Sequence, residues 1–450
     1  MTDALVSGRS LAALQTALDF AEVGLSVIVA GAAAIDTPSG RSVRDSDGHV
    51  TAFVERIAQP LEGTEGRLAG TNLTKFVPEP PLLRSTKGQW LAQSEPNLLG
   101  VPAVPLAAAV IKFVGTATAL RAYLDRITPL LTVGKTRLFS QLVRKRIGTQ
   151  MLNRLVEPQV FARFGRPAAE VEVAVAAPGL NETLSRAGSL TSAVLAYSDR
   201  NVARETRVIP AEGWEKFRQV LLQKLEWYGV HFTEAVVEDA EVEGDEWSVT
   251  LSDGSHLRTR SLVIDFGAEA KLSGARLPQF RECGPAKGRV AAEIEVHQPS
   301  WLPDESSGLH LWEQWSVHLS KIVADGEELQ TRARFVSQVD DLAVHARATD
   351  VATRERQRLE ETLTAALEQL GVQSKAAAQW QVHLAAAPFA TLAERDEARG
   401  VSESQRRSHR TLLSVGRALH GNDLGAALKD AHQGAVQVRR RLLGLEEADN

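Results

Sequence analysis

The opening of the chain constrains its fold more than any other stretch. Asp3 to Ser7 is an apolar run ended by Gly8, Leu11, Leu14, Leu18 and Val23 recur at helical spacing up to Gly24, and Ser26 to Ala30 is a second apolar run. Strand, turn, helix, glycine and strand within about 30 residues make a βαβ unit, whose parallel strands need the helix as a crossover. The end of the chain repeats the theme, with an apolar strand at Thr411 to Val415, a loop from Gly416 to Gly425 and a helix from Ala426 to Leu443. Two such units at opposite ends predict a discontinuous Rossmann-like α/β domain with the middle of the chain inserted into it.

Between these ends the pattern changes several times. Thr37 to Gly70 is a polar, glycine-rich stretch with turn signals at Pro38-Ser39-Gly40 and Asp47-Gly48, and residues 106 to 156 read as helices, including a cationic one around Arg144, Lys145 and Arg146. Trp214 to Tyr228 is an amphipathic helix, Val230 to Thr233 a strand, and Trp247 to Leu251 alternates before the turn Asp253-Gly254 of a hairpin. Val290 to Val296, Ser316 to Val323 and Arg332 to Val339 suggest antiparallel strands, followed by a charged helix from Ala352 to Leu370. The division expected is a dinucleotide-type domain at 1–75, 205–270 and 405–450, a helical segment at 76–204 and an α+β substrate domain at 271–404.

Composition narrows the function. With 51 Lys plus Arg against 56 Asp plus Glu, a net charge of −5, and no basic stripe, nucleic acid is not an expected partner. The single cysteine, Cys283, can form neither an internal disulfide nor a zinc cluster, and the 11 histidines show no metal-ligand spacing, so no metal is expected. No serine sits in a G-x-S-x-G elbow. No export signal is evident, and no apolar run reaches the ~20 residues of a transmembrane segment, which points to a cytoplasmic protein with at most peripheral membrane contact.

Several words then occur in a telling order. Leu98 to Pro105 is an apolar Gly-Val-Pro-Ala-Val-Pro segment, Leu142 to Gly148 ends a helix in Arg-Ile-Gly, and Val156-Glu157-Pro158, the small residues of Gly165 to Ala177, and Leu251 to Gly254 with Ser261 to Asp265 follow. In this order the chain resembles the flavin-dependent amine oxidase superfamily, and within it the oxygen-dependent protoporphyrinogen and coproporphyrinogen oxidases of heme biosynthesis. The resemblance implies an FAD/NAD(P)-binding fold, FAD as cofactor, dehydrogenation of a porphyrinogen, a tetrapyrrole-type ligand and a partner enzyme of heme synthesis. It places the cofactor at Gly8, Ser10 and Ala13, at Gly31, at Gly40 and Arg41, and at Gly416, Arg417 and Asp423. Lys112, Arg121 and Arg126 would flank a porphyrinogen pocket and pair with its carboxylates. No catalytic side chain is nominated, because the flavin would do the redox step.

The cofactor words depart from the family's pattern. A G-x-G-x-x-G loop needs its second glycine so that backbone amides approach the pyrophosphate, and here Ser10 stands there, with Ala13 in third place. Gly31 stands where the acid for the ribose is expected, Ser39-Gly40-Arg41 keeps one glycine of a Gly-Gly-Arg, and Gly416-Arg417 replaces a Gly-Asp. The better-kept substrate words favour an FAD-dependent enzyme. The alternative is a non-catalytic homologue that has lost FAD and binds a tetrapyrrole or a partner.

Overall fold

The opening unit folds as its pattern predicts. Strand Thr2–Ser7 and strand Val27–Ala30 pair in parallel from Ala4↔Val27 to Ser7↔Ala30, joined by helix Leu11–Ala21, every residue of which is buried. The helix is buried all round because it lies between the sheet and the C-terminal helix Leu424–Leu442, and its buried Asp19 is paired with Arg56 at 2.7 Å. The computed structural model describes residues 2–31, 41–60, 68, 70–128, 136–201, 206–266, 288–304, 306–323, 329–339 and 351–445.

Around this unit a mixed sheet grows from distant parts of the chain. His231–Thr233 pairs in parallel with Val27–Ala30, and the long strand His256–Asp265 pairs in parallel with Thr2–Ser7 on the other side. The first half of that long strand carries the antiparallel partner Glu246–Leu251, which pairs in turn with Val237–Glu243. Its second half pairs in parallel with Leu412–Val415, so segments from both chain ends lie in one Rossmann-like sheet. The parallel strands all finish at one edge, at Ser7, Ala30, Thr233, Asp265 and Val415. Ligands of open α/β sheets bind at that edge.

The polar stretch from Thr37 to Gly70 holds a helix, His49–Ala58, with Val50, Phe53, Val54 and Ile57 buried at helical spacing. The turn pair Asp47-Gly48 lies just ahead of the helix, whose N-cap is Gly48 at φ 75°. Asp45 satisfies its first amides, accepting from Val50 N at 2.9 Å and Thr51 N at 3.1 Å.

The helical segment has its own core, built from Phe113, Phe139, Ile147, Met151, Val160 and Phe164 among others. Within it Leu98 to Pro105 forms a two-stranded turn, Asn97–Leu98 against Val101–Pro102. Gly100 is required there, because a Cβ would stand 2.1 Å from the Leu155 carbonyl oxygen. The second sheet runs, in space, Gln381–Ala386, Gly288–Glu295, Leu329–Val339, Trp315–Val323, Gly308–Trp312, Leu82–Arg84 and Trp90–Leu91. Ala292, Ile294, Val317, Leu319, Ala333 and Phe335 give it one apolar face, packed with Leu363, Ala366 and Leu367 of helix Val351–Gln369. Its other face carries Glu293, Arg334 and His318. Among the described residues no helix is long and apolar enough to cross a membrane.

Candidate functional site

At the carboxyl edge of the parallel strands stand Gly8, Gly31 and Gly416, each just past a strand end, with Ser10 and Ala13 in the first turn of the helix after Gly8 and Arg417 after Gly416. Gly8 N donates to the Ala30 carbonyl at 2.7 Å, Gly31 N to that of Thr233 at 3.0 Å, and Phe266 N to that of Val415 at 2.7 Å. Gly416, at φ 118°, crosses the end of the long strand where a Cβ would lie 2.1 Å from the Phe266 carbonyl oxygen. Only glycine fits such an approach.

At the centre of this edge stands a group that the sequence words did not single out. Asp265, the last residue of the strand His256–Asp265, accepts from Ser10 N at 2.9 Å through Oδ2 and from Ser10 Oγ at 2.6 Å through Oδ1. Ser10 in turn caps the first helix, its Oγ accepting from Ala13 N at 3.3 Å. The positive end of that helix is thus answered by the chain's own carboxylate. Next to it Arg9 is buried, donates to the Thr233 carbonyl at 3.1 Å, pairs with Glu234 at 2.9 Å and lies over the Phe232 ring. The available signal was the run Leu262-Val263-Ile264-Asp265, an acid placed where an apolar parallel strand ends.

Arg41, Arg417 and Asp423 contact groups of the chain itself. Arg41 binds Glu293, with Nε 3.0 Å from Oε1 and Nη2 2.9 Å from Oε2, and its carbonyl accepts from Trp214 Nε1 at 2.6 Å. Arg417 donates through Nη2 to the Asn422 carbonyl at 2.9 Å, and Asp423 caps helix Leu424–Leu442 by accepting from Ala426 N at 3.0 Å. Gly31 has φ 117° and lies 3.5 Å, by its would-be Cβ, from Gly8 N. Gly40 and Cys283 lie outside the described residues.

Lys112, Arg121 and Arg126 are exposed on the helical segment. Arg121 donates to the carbonyl of Arg146 at 3.3 Å at the end of helix Phe139–Ile147, and Arg126 lies 5.1 Å from the Tyr123 ring centre. Of the cationic trio, Arg144 and Lys145 face solvent, whereas Arg146 is buried against Asp125 and donates to the Gly188 carbonyl at 2.9 Å. The space beside Gly100, Pro102, Val110, Phe113 and Leu155 amounts to about 10 Å³, room for one water.

The fold, a Rossmann-like sheet with a second sheet and a helical segment, is shared with several solved structures. The chain is similar over 98% of its length, at 14% identity and a TM-score of 0.72, to 99% of a "Putative protoporphyrinogen oxidase" from Exiguobacterium sp. 255-15. It is also similar to cyclohexylamine oxidase from Brevibacterium oxydans IH-35A, at 14% identity, TM-score 0.57, and 98% and 99% coverage of the two chains. A reduced UDP-galactopyranose mutase matches at 13% identity and TM-score 0.60, with 100% and 97% coverage. No family model matches the sequence, and no curated protein does.

These residues do not fit FAD as the family pattern would hold it. A pyrophosphate at the first helix would compete with Asp265 for Ser10 N, and a like charge about 4 Å away costs on the order of 4 kcal/mol per unit charge at an effective dielectric near 20. The ribose acid is replaced by Gly31 in a backbone conformation that L side chains avoid. Arg9 and Glu234 neutralise each other beside it.

Proposed function

We propose that this protein keeps the architecture of a flavin oxidase and works as a binding protein without FAD, the ligand class suggested by its sequence words being an acidic tetrapyrrole. The observation that carries this reading is the carboxylate of Asp265 on the amide and hydroxyl of Ser10. It turns the expectation from the enzyme to the non-catalytic homologue. The helical segment supplies a surface for a partner enzyme of heme synthesis or a membrane face, since Leu120, Tyr123, Leu124 and Ile127 are exposed beside Arg121 and Arg126.

Porphyrinogen oxidation is the second reading, supported by the full-length likeness in fold and by the close seating of Gly100 on Leu155 in the substrate segment. Flavin fluorescence titration separates the two. The binding reading expects colourless protein and no saturable FAD binding. Stoichiometric FAD with oxygen consumption on adding a porphyrinogen would overturn it. Asp265→Asn, which removes the competing charge while keeping the shape, is expected to raise any residual FAD affinity at least tenfold.

A further inference from the structure

The charges of this chain are unevenly placed along it. Between Leu98 and Val156 the sequence holds nine lysines and arginines and a single acid, Asp125, which is buried. From Glu234 to Asp253 it holds eight acids and neither lysine nor arginine. Each stretch therefore carries an excess of eight charges, of opposite sign, in a chain whose net charge is only −5. The first stretch builds the helical segment, and the second the antiparallel hairpin Val237–Glu243 and Glu246–Leu251 at one margin of the Rossmann-like sheet.

The cationic side is also apolar. Leu120, Tyr123, Leu124 and Ile127 are exposed, Ile127 at 77%, and their spacing of three and four residues lines them along one side of helix Thr116–Tyr123 and the turn Leu124–Ile127. Arg121 and Arg126 interleave with them, and the bond from Arg121 to the Arg146 carbonyl sets the exposed Arg144 and Lys145 close by. Neither Arg144 nor Lys145 has an ion pair among the described residues. On the hairpin, Glu243 stands directly opposite Glu246, a pairing that like charges disfavour. Arg258 answers Glu243 at 2.7 Å, whereas the exposed Glu238, Glu241 and Asp245 have no ion pair among the described residues. Val242 is 47% exposed on the outer strand, which has one neighbouring strand among the described residues.

We infer that the acidic hairpin of one molecule docks on the basic, apolar helical face of a second copy, so that the protein associates head to tail. Opposite charges across a contact steer two molecules together and set their register, and the exposed apolar side chains supply area to bury. Like faces repel, so a two-fold pairing of either face with itself is disfavoured. A contact between unlike faces leaves one of each free at the ends, and the assembly grows into a ring or an open chain. The inference goes beyond the ligand reading above and holds whether or not FAD binds. A lipid surface on the same helical face is an outcome of its test.

Sedimentation velocity of the full chain tests it at about 10 mM and about 150 mM salt, where charges are screened over about 30 Å and 8 Å. The expected result is species larger than the monomer that grow with protein concentration at the lower salt and fall away at the higher. Glu238→Lys/Glu241→Lys and Arg144→Glu/Lys145→Glu should each stay monomeric with an unchanged melting temperature, since all four side chains are exposed. Mixed in equal amounts, the two variants should associate again, because each keeps the face that the other has lost. Low solubility near neutral charge would not produce that rescue. A monomeric wild type at the lower salt, either variant associating alone as the wild type does, or a mixture that stays monomeric overturns the inference. Cosedimentation with phosphatidylglycerol vesicles runs beside it. A monomeric wild type that binds the vesicles, and releases them in Arg144→Glu/Lys145→Glu, would overturn the inference and assign the helical face to lipid.

Discussion

Asp265 packs so tightly against Gly8 that a Cβ on that glycine would stand 2.5 Å from both its Cβ and its Oδ2. Gly8 also sits at φ 103°, so Gly8→Ala meets two separate penalties, a collision and a strained backbone. A loss of roughly 2–5 kcal/mol in unfolding free energy is expected, measured by urea titration. In Gly8→Ala/Asp265→Gly the collision with both atoms is relieved and the strain remains, so the double variant should be less destabilised than the sum of the two single ones. Strict additivity would show that the two residues do not touch in solution.

Restoring an acid at the end of the second strand is the obvious way to rebuild a ribose contact, and the backbone argues against it. Gly31 is at φ 117°, where a non-glycine residue costs of order 1–3 kcal/mol. Gly31→Glu is therefore expected to lower the melting temperature by several degrees and to leave FAD binding undetectable. A variant as stable as wild type that turns yellow with FAD would contradict both the strain and the flavin-free reading.

The fold was legible where one signal dominates locally. The apolar strands and glycine stops at both chain ends, the Asp253-Gly254 hairpin and the helix near 351–370 follow from periodicity and turn chemistry alone. Helix His49–Ala58 was not, because its turn pair sits ahead of an apolar stripe only ten residues long. The site was legible as an edge and illegible in its chemistry. Ser10 and Arg417 stand out as departures from a pattern, but what they touch depends on Asp265 and Asn422, and the pairing of Arg41 with Glu293 spans 252 residues of sequence. Contacts of that range carry no local signature.

The helical segment is tied together by a buried ion pair rather than by substrate. Asp125 is wholly buried against Arg146, accepts from Leu190 N at 2.6 Å, and joins three parts of the segment. Arg146→Met leaves that carboxylate without its countercharge, at an expected cost of about 3–5 kcal/mol. Asp125→Asn/Arg146→Met should be markedly less destabilising than the sum of the single changes. Chemical denaturation of the three variants gives the coupling, and a coupling near zero would show that this ion pair does not hold the segment together.

Acid should loosen the docking of the C-terminal helix at one identifiable group. Asp430 lies 2.6 Å from Arg406 and 3.3 Å from His420 Nε2. Burial on its own would raise its carboxyl, but the hydrogen bonds from His420 and Arg406 and the Arg406 charge outweigh it and hold the group down at about 2. An acid with a depressed folded pKa stabilises the fold fully above its ordinary value of 3.8 and loses that contribution as pH falls through about 2. The difference corresponds to about 2 kcal/mol, since each unit is worth about 1.4. Asp430→Asn should thus be less stable than wild type at pH 6 by about this amount, and the gap should close between pH 4 and about 2, because the wild type alone loses the contribution there. Urea unfolding at a series of pH values reads the gap directly, and a gap that stays constant through that window would show that the Asp430 carboxyl is not held down by Arg406 and His420.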